Sequence, residues 1–171
     1  MRPVSLVLVL AFLAPSACSS PSSVEPAALT VEVVGQINGR QLRVRFSNHG
    51  VESLRIVRPM DGSEHGWISP AYDVGIVDGN GKPYPMMTRC KLFGEPFSGT
   101  RWPEDYVVEV KPGEHVEILV WVSFVLPETG TYPVSFSYSY DPARTKWRVT
   151  GGAWEGTVHA SPTKVRLSRT T

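Results

Sequence analysis

From Leu29 onward, apolar residues in this chain recur at every second position almost without interruption. Leu29, Val31 and Val33 alternate with Thr30 and Glu32, and Leu42, Val44 and Phe46 with Gln41, Arg43 and Arg45. Leu54 and Ile56 follow a turn at Asn48-His49-Gly50, and Tyr72, Val74 and Ile76 precede Asp78-Gly79-Asn80-Gly81, after which a short return strand is expected over 82–86. Tyr106, Val108 and Val110 lead into Lys111-Pro112-Gly113-Glu114. Val116, Ile118, Val120, Val122 and Phe124 read as the longest strand, and Val165 and Leu167 close the chain. The cleanest case is Tyr132, Val134, Phe136, Tyr138 and Tyr140, set between Thr131, Pro133, Ser135, Ser137 and Ser139. A period of two puts one row on a core and the other in water, and no segment carries a helical stripe.

About seven to nine such strands separated by Gly and Pro turns predict an all-β fold, an antiparallel β-sandwich. The expected core is Leu42, Val44, Phe46, Ile56, Val74, Val108, Ile118, Val120, Phe136 and Tyr138. Pro133 removes a ladder donor, so its strand is expected to be locally an edge or bulged there.

The first residues follow a different logic. Arg2, an apolar run from Val4 to Leu13, and the mostly small residues Ala14, Pro15, Ser16 and Ala17 make a secretory signal peptide over 1–17, too short for a membrane span. Because Cys18 comes directly after those small residues, the segment resembles a bacterial lipoprotein signal, which implies acylation of Cys18 as the new N-terminus. Residues 18–28, rich in Ser, Pro and Ala, read as a flexible tether, and 29–168 as the sandwich domain. The resemblance implies an exported, membrane-anchored lipoprotein of the bacterial cell envelope, with its domain outside the cytoplasm. Cys90 is the other cysteine, and with Cys18 lipidated it has no partner within the chain. A buried, inert thiol is the expectation.

The element order also resembles a known group. Asn48-His49-Gly50, Tyr72-Asp73-Val74, Asp78 to Lys82, Val110-Lys111-Pro112-Gly113-Glu114 and Gly130-Thr131-Tyr132 resemble the punctuation of immunoglobulin-like β-sandwiches of secreted bacterial proteins. They are more distantly similar to the bacterial intracellular proteinase inhibitor family. The resemblance implies an immunoglobulin-like fold, with the Tyr132 hydroxyl bonding back to the preceding loop as in a tyrosine corner. Shared turn chemistry speaks to fold far more than to activity.

Chemistry is sparse. The net charge is +1, too balanced for nucleic-acid binding. His49, His65, His115 and His159 have no metal-ligand spacing, and Asp61, Glu64 and His65 read as a solvated loop. Asp78 to Gly81 reads as a hairpin turn rather than a calcium loop. No nucleophile elbow or phosphate-binding glycine loop occurs, and nothing selects a carboxylate pair. The sequence therefore predicts no catalysis, no metal and no cofactor, and a binding or assembly module whose partners are the membrane through its lipid and an envelope protein or glycan.

Two surfaces are candidates for that binding. Arg43, Arg45 and Arg55 point away from the core and are expected to cluster on one sheet face, a patch for anionic headgroups or acidic polysaccharide. Trp67, Phe93, Phe97 and Trp102 fall in two long connections, 59–70 and 85–105, with Trp147 and Trp154 in later loops. Such rings either plug the ends of a sandwich or form a binding platform. Alternatives follow: a proteinase inhibitor presenting the 85–105 loop, or a carbohydrate-binding module using Trp67 and Trp102. Trp121, opposite the Val/Ile row of its strand, is expected to pack under a loop covering that face.

Overall fold

The computed structural model describes residues 28–39, 41–58, 71–85, 106–122, 124–143 and 149–169. Cys18, Trp67, Cys90, Phe93, Phe97, Trp102 and Trp147 lie outside them. The described residues contain nine strands and no helix: β1 (Leu29–Ile37), β2 (Gln41–Asn48), β3 (Leu54–Val57), β4 (Tyr72–Ile76), β5 (Val107–Val110), β6 (His115–Trp121), β7 (Gly130–Tyr140), β8 (Gly156–His159) and β9 (Thr163–Leu167). All pairings are antiparallel and form three sheets. One runs β1-β2-β6, and a second is the ribbon β3-β5. In the third, β7 pairs with β4 along one edge and with β8 and β9 in tandem along the other.

Alternation sets which faces meet. Leu42, Val44 and Phe46 of β2 are fully buried, as are Val134 and Tyr138 of β7, with Phe136 nearly so. The Phe46 ring sits edge-on to Phe136 at 6.3 Å and to Tyr138 at 5.4 Å, while Tyr72 stacks on Phe136 at 5.9 Å. Edge-to-face and offset pairs suit the ring quadrupole, so these rings lock the two inner rows together in a sandwich-like core. Of the expected core, Val108 alone is only half-buried, although Ile56, its partner across the β3-β5 ribbon, is fully buried.

Local chemistry ends the strands as expected. Between β1 and β2, Asn38 (φ 52°) and Gly39 (φ 66°) turn the chain in the left-handed region, and any side chain at 39 would strike Ser168. Gly113, at φ 72° after Pro112, closes the turn before β6, where Glu114 N–H donates to Lys111 O at 3.0 Å. Asp78 Oδ1 accepts from the Asn80 and Lys82 amides at 2.8 and 2.9 Å, which occupies that carboxylate oxygen within a turn. Pro133 stands just past Val134, where the β4 ladder stops, so its missing donor breaks no β4 pair. Tyr132 Oη donates to Glu128 O at 2.7 Å, the bond of a tyrosine corner.

The return strand expected over 82–86 is, within the described residues 82–85, only an isolated bridge between Val77 and Pro83, and two further readings need correction. The longest strand is β7, with 11 residues, whereas β6 has 7 and ends at Trp121. Trp121 faces Gln41, the first residue of β2, so the ladder partner of β6 runs out there. The β8 strand is absent from the sequence reading, because Gly156-Thr157-Val158-His159 has one apolar residue and no alternation to detect.

Candidate functional site

The outer face of the β1-β2-β6 sheet is where described side chains are both exposed and chemically varied. Its register gives four cross-strand rows. Thr30, Ser47 and His115 form the first, followed by Glu32, Arg45 and Glu117. An irregularity between Val33 and Gly35 then brings Gly35 opposite Arg43, beside Leu119. Ile37, Gln41 and Trp121 form the last row.

The second row is an ion-pair bridge. Arg45 Nη1 lies 2.9 Å from Glu32 Oε1, and Arg45 Nη2 lies 2.7 Å from Glu117 Oε1, with Nε donating to the same oxygen at 3.2 Å. The hydrogen bond to Glu117 raises the Arg45 pKa, and in turn Arg45 holds the Glu117 carboxyl below its ordinary range. Arg43 Nε is 3.7 Å from Glu117 Oε2. Two arginines thus stand among two carboxylates, and their formal charges cancel. Exposed pairs of this kind contribute little stability, and their effect here is to fix side-chain positions.

The expected cluster of Arg43, Arg45 and Arg55 is therefore not one basic patch. Arg55 belongs to β3, which pairs with β5 rather than β2. Its Nη1 donates to the carbonyls of Thr150 and, at 3.2 Å, Gly152, so this side chain holds the 150–152 turn. Its own carbonyl accepts the Trp154 N–H at 2.6 Å. Trp154 is half-buried and lies against Tyr138 with ring centroids 6.0 Å apart, which makes it a plug rather than a platform.

Beyond the ion pairs the face becomes apolar. Leu119 is 40% exposed and Trp121 52%, one above the other on β6, with Arg43 and Gln41 beside them on β2. This corrects the expectation that Trp121 is covered. The period of two could have flagged both residues, since each alternates with a buried Ile118 or Val120.

A concavity of about 430 Å³ is lined by Tyr140, Pro142, Ala143, Val149, Ala153 and Glu155, among others. Burial and the nearby Glu155 charge raise the Tyr140 pKa, so it is a neutral hydrogen-bonding phenol at ordinary pH. On the sheet face the Thr30 hydroxyl lies 2.9 Å from His49 Nε2, a contact whose donor depends on the imidazole tautomer. Among the described residues no group of three or more His, Cys, Asp or Glu comes together as a metal site. No known family pattern matches the chain, and no curated protein is significantly similar to it.

Proposed function

We propose that the chain is a non-catalytic binding or assembly module with an immunoglobulin-like sandwich fold, held on the bacterial envelope by a lipid on Cys18, and that the outer face of β1-β2-β6 is its contact surface. The observation that carries this reading is the adjacent exposure of Leu119 and Trp121 beside Arg43. Exposed apolar side chains scattered singly need no explanation, but a Trp and an Arg close together on one face, with an exposed Leu beside the Arg, include two of the residue types that dominate interaction centres. The sandwich reading is supported by the inner rows of β2 and β7 meeting through their rings and by the Tyr132 bond to Glu128.

Leu29 pairs with Asn48 at one end of the sheet, while Ile37, Gln41 and Trp121 occupy the other. At ~3.3 Å per residue the eight steps from Leu29 to Ile37 span roughly 26 Å. The chain enters from Ala28, ten residues after Cys18, and ten residues extend at most about 36 Å. Ten extended residues reach farther than the sheet is long, so a lipid on Cys18 tethers the domain without fixing which end faces the bilayer.

The test combines Cys18→Ala with Trp121→Ala in the full chain. Cys18→Ala should abolish lipid labelling and release the protein from membranes. Trp121→Ala should leave it in membranes and folded but remove its chemical crosslinks to envelope components. Unchanged membrane partition of the first variant refutes the anchor, and unchanged crosslinks of the second refute the contact surface.

A further inference from the structure

The free edge of β6 identifies a partner for this face, an inference that rests on the reading of the face as a contact surface. Asn48 gives its N–H to Glu114 O at 3.0 Å and accepts the Gly113 N–H at 2.9 Å, so its main chain faces the β6 side of β2. Main-chain direction alternates along an antiparallel ladder. Phe46, Val44 and Leu42 therefore bond toward β6, and their partners Val116, Ile118 and Val120 bond back toward β2. The N–H and C=O groups of Glu117 and Leu119 point the other way, to an edge that no described strand pairs with.

Open edges are templates for further pairing, and proteins blunt them. The other strands show how this one does so. β1 carries its irregularity at Val33/Gly35, and β9 carries Lys164 and Arg166. The far edge of β4 is met by Tyr84, whose N–H donates to Ile76 O at 2.9 Å, and β3 takes the Trp154 amide on Arg55 O. β6 has no proline, lysine, bulge or covering segment among the described residues. At its far end the Trp121 carbonyl accepts from Tyr72 Oη at 3.3 Å, which holds that end in place.

We infer that β6 pairs antiparallel with β6 of a second copy of this chain, about a two-fold axis at Ile118. In this register Glu117 of each copy stands opposite Leu119 of the other, exchanging both main-chain bonds, so the two edge residues of each chain are all satisfied. Trp121 of each copy stands opposite His115 of the other, which covers the exposed indole with an imidazole. No like charges stand directly opposite one another. The registers centred on Glu117 would oppose two carboxylates, a destabilising pair. The product is a continuous six-stranded sheet with the isologous contact expected of a two-fold dimer.

The register makes opposite predictions for two substitutions at one position. In a single chain Leu119 neighbours Arg43 on β2, whereas across the dimer it faces Glu117. Leu119→Asp therefore favours the monomer and repels the second copy, while Leu119→Lys attracts Glu117 of the second copy. The experiment is sedimentation equilibrium of the full exported chain carrying Cys18→Ala, over a wide concentration range and with reductant present so that Cys90 forms no bridge. Circular dichroism melts check that each variant is folded. The expected result is twice the chain mass for the parent and for Leu119→Lys, and a single chain mass for Leu119→Asp.

A parent that stays monomeric overturns the dimer, as does a Leu119→Asp variant that stays dimeric. Loss of the dimer in both folded variants overturns this register. A monomeric parent whose Trp121→Ala variant still loses its envelope crosslinks would overturn the second copy as partner and leave the contact surface standing. A dimer in a chain whose crosslinks ignore Trp121 would do the reverse.

Discussion

Replacing Asn48 by Ala should be among the most damaging changes of a polar residue in this domain. Asn48 ends β2, is 1% exposed, and every polar atom of its side chain is used. Its Nδ2 donates to Glu52 O at 2.7 Å and to Val110 O at 2.8 Å, and its Oδ1 accepts the Gly50 amide at 2.8 Å. The side chain thereby ties the end of β2 to the end of β5 and to the turn that leads into β3. Truncation strands the Val110 carbonyl in the interior, at about 1–3 kcal/mol, and removes two partly buried bonds worth roughly 0.5–1.5 kcal/mol each. The sum is centred near 4 kcal/mol, with water relieving the two outer groups at the low end of the range. For a domain of this size each kcal/mol moves the melting temperature by roughly 2–4 °C, so a fall of about 8–16 °C is expected. Asn48→Asp separates hydrogen bonding from size. It keeps the acceptor for Gly50 but sets a carboxylate against the Glu52 and Val110 carbonyls, and should be at least as harmful at neutral pH. Urea unfolding is the assay, with the midpoint shifting at constant slope. A loss below about 0.5 kcal/mol for Asn48→Ala, the scale of ordinary surface changes, would refute the pin.

Phe136→Ala should cost roughly 3–5 kcal/mol by urea unfolding, because it empties the centre of the Phe46 and Tyr72 ring contacts. Tyr138→Phe removes only an oxygen, but that oxygen accepts the buried Val57 N–H at 3.1 Å; a loss of about 1–3 kcal/mol is expected in the same assay. Glu117→Gln tests the ion-pair row through pH. The carboxyl is lowered from its ordinary 4.5 first by the Arg45 hydrogen bond, with Arg43 and His115 adding to the effect. A depressed folded-state pKa stabilises above the unfolded value and ceases to as pH falls through the folded one. The stability gap between parent and Glu117→Gln should therefore be constant near neutrality and close as pH drops below 4.5, and a gap unchanged into acid would remove Arg45 as its cause.

The rows of the core were legible because they depend on a property each residue carries by itself. Val44 or Tyr138 is buried wherever its strand lies, provided its neighbours are polar, and a one-residue slip would expose the whole row. Strand partners depend on the rest of the chain, and there the sequence was silent. Arg55 follows Arg45 after a short turn, yet β3 leaves the sheet of β2 for β5, so proximity in sequence misplaced it. Asn48 looked like turn punctuation, and nothing in its identity announces that its amide reaches Val110, far along the chain. Val108 matched the alternation yet is only half-buried, while Ile56 across the ribbon from it is fully buried. The contact surface failed for the same reason: period two assigns Trp121 to the outer face but carries no information on what covers that face.

The rows on that face follow a definite order. From the entry of the chain outward they run Thr30–Ser47–His115, Glu32–Arg45–Glu117, Gly35–Arg43–Leu119 and Ile37–Gln41–Trp121, so polarity gives way to apolar surface along a single sheet. Core packing does not require this gradient, since all four rows lie on the outer side, and fold stability gains little from an exposed indole. The proposed contact surface accounts for it. The polar rows keep their charges paired among themselves, and the apolar rows are left for a partner. Gly35 fits this account, because a side chain there would meet nothing within 4 Å, leaving the ground beside Arg43 open to an incoming partner.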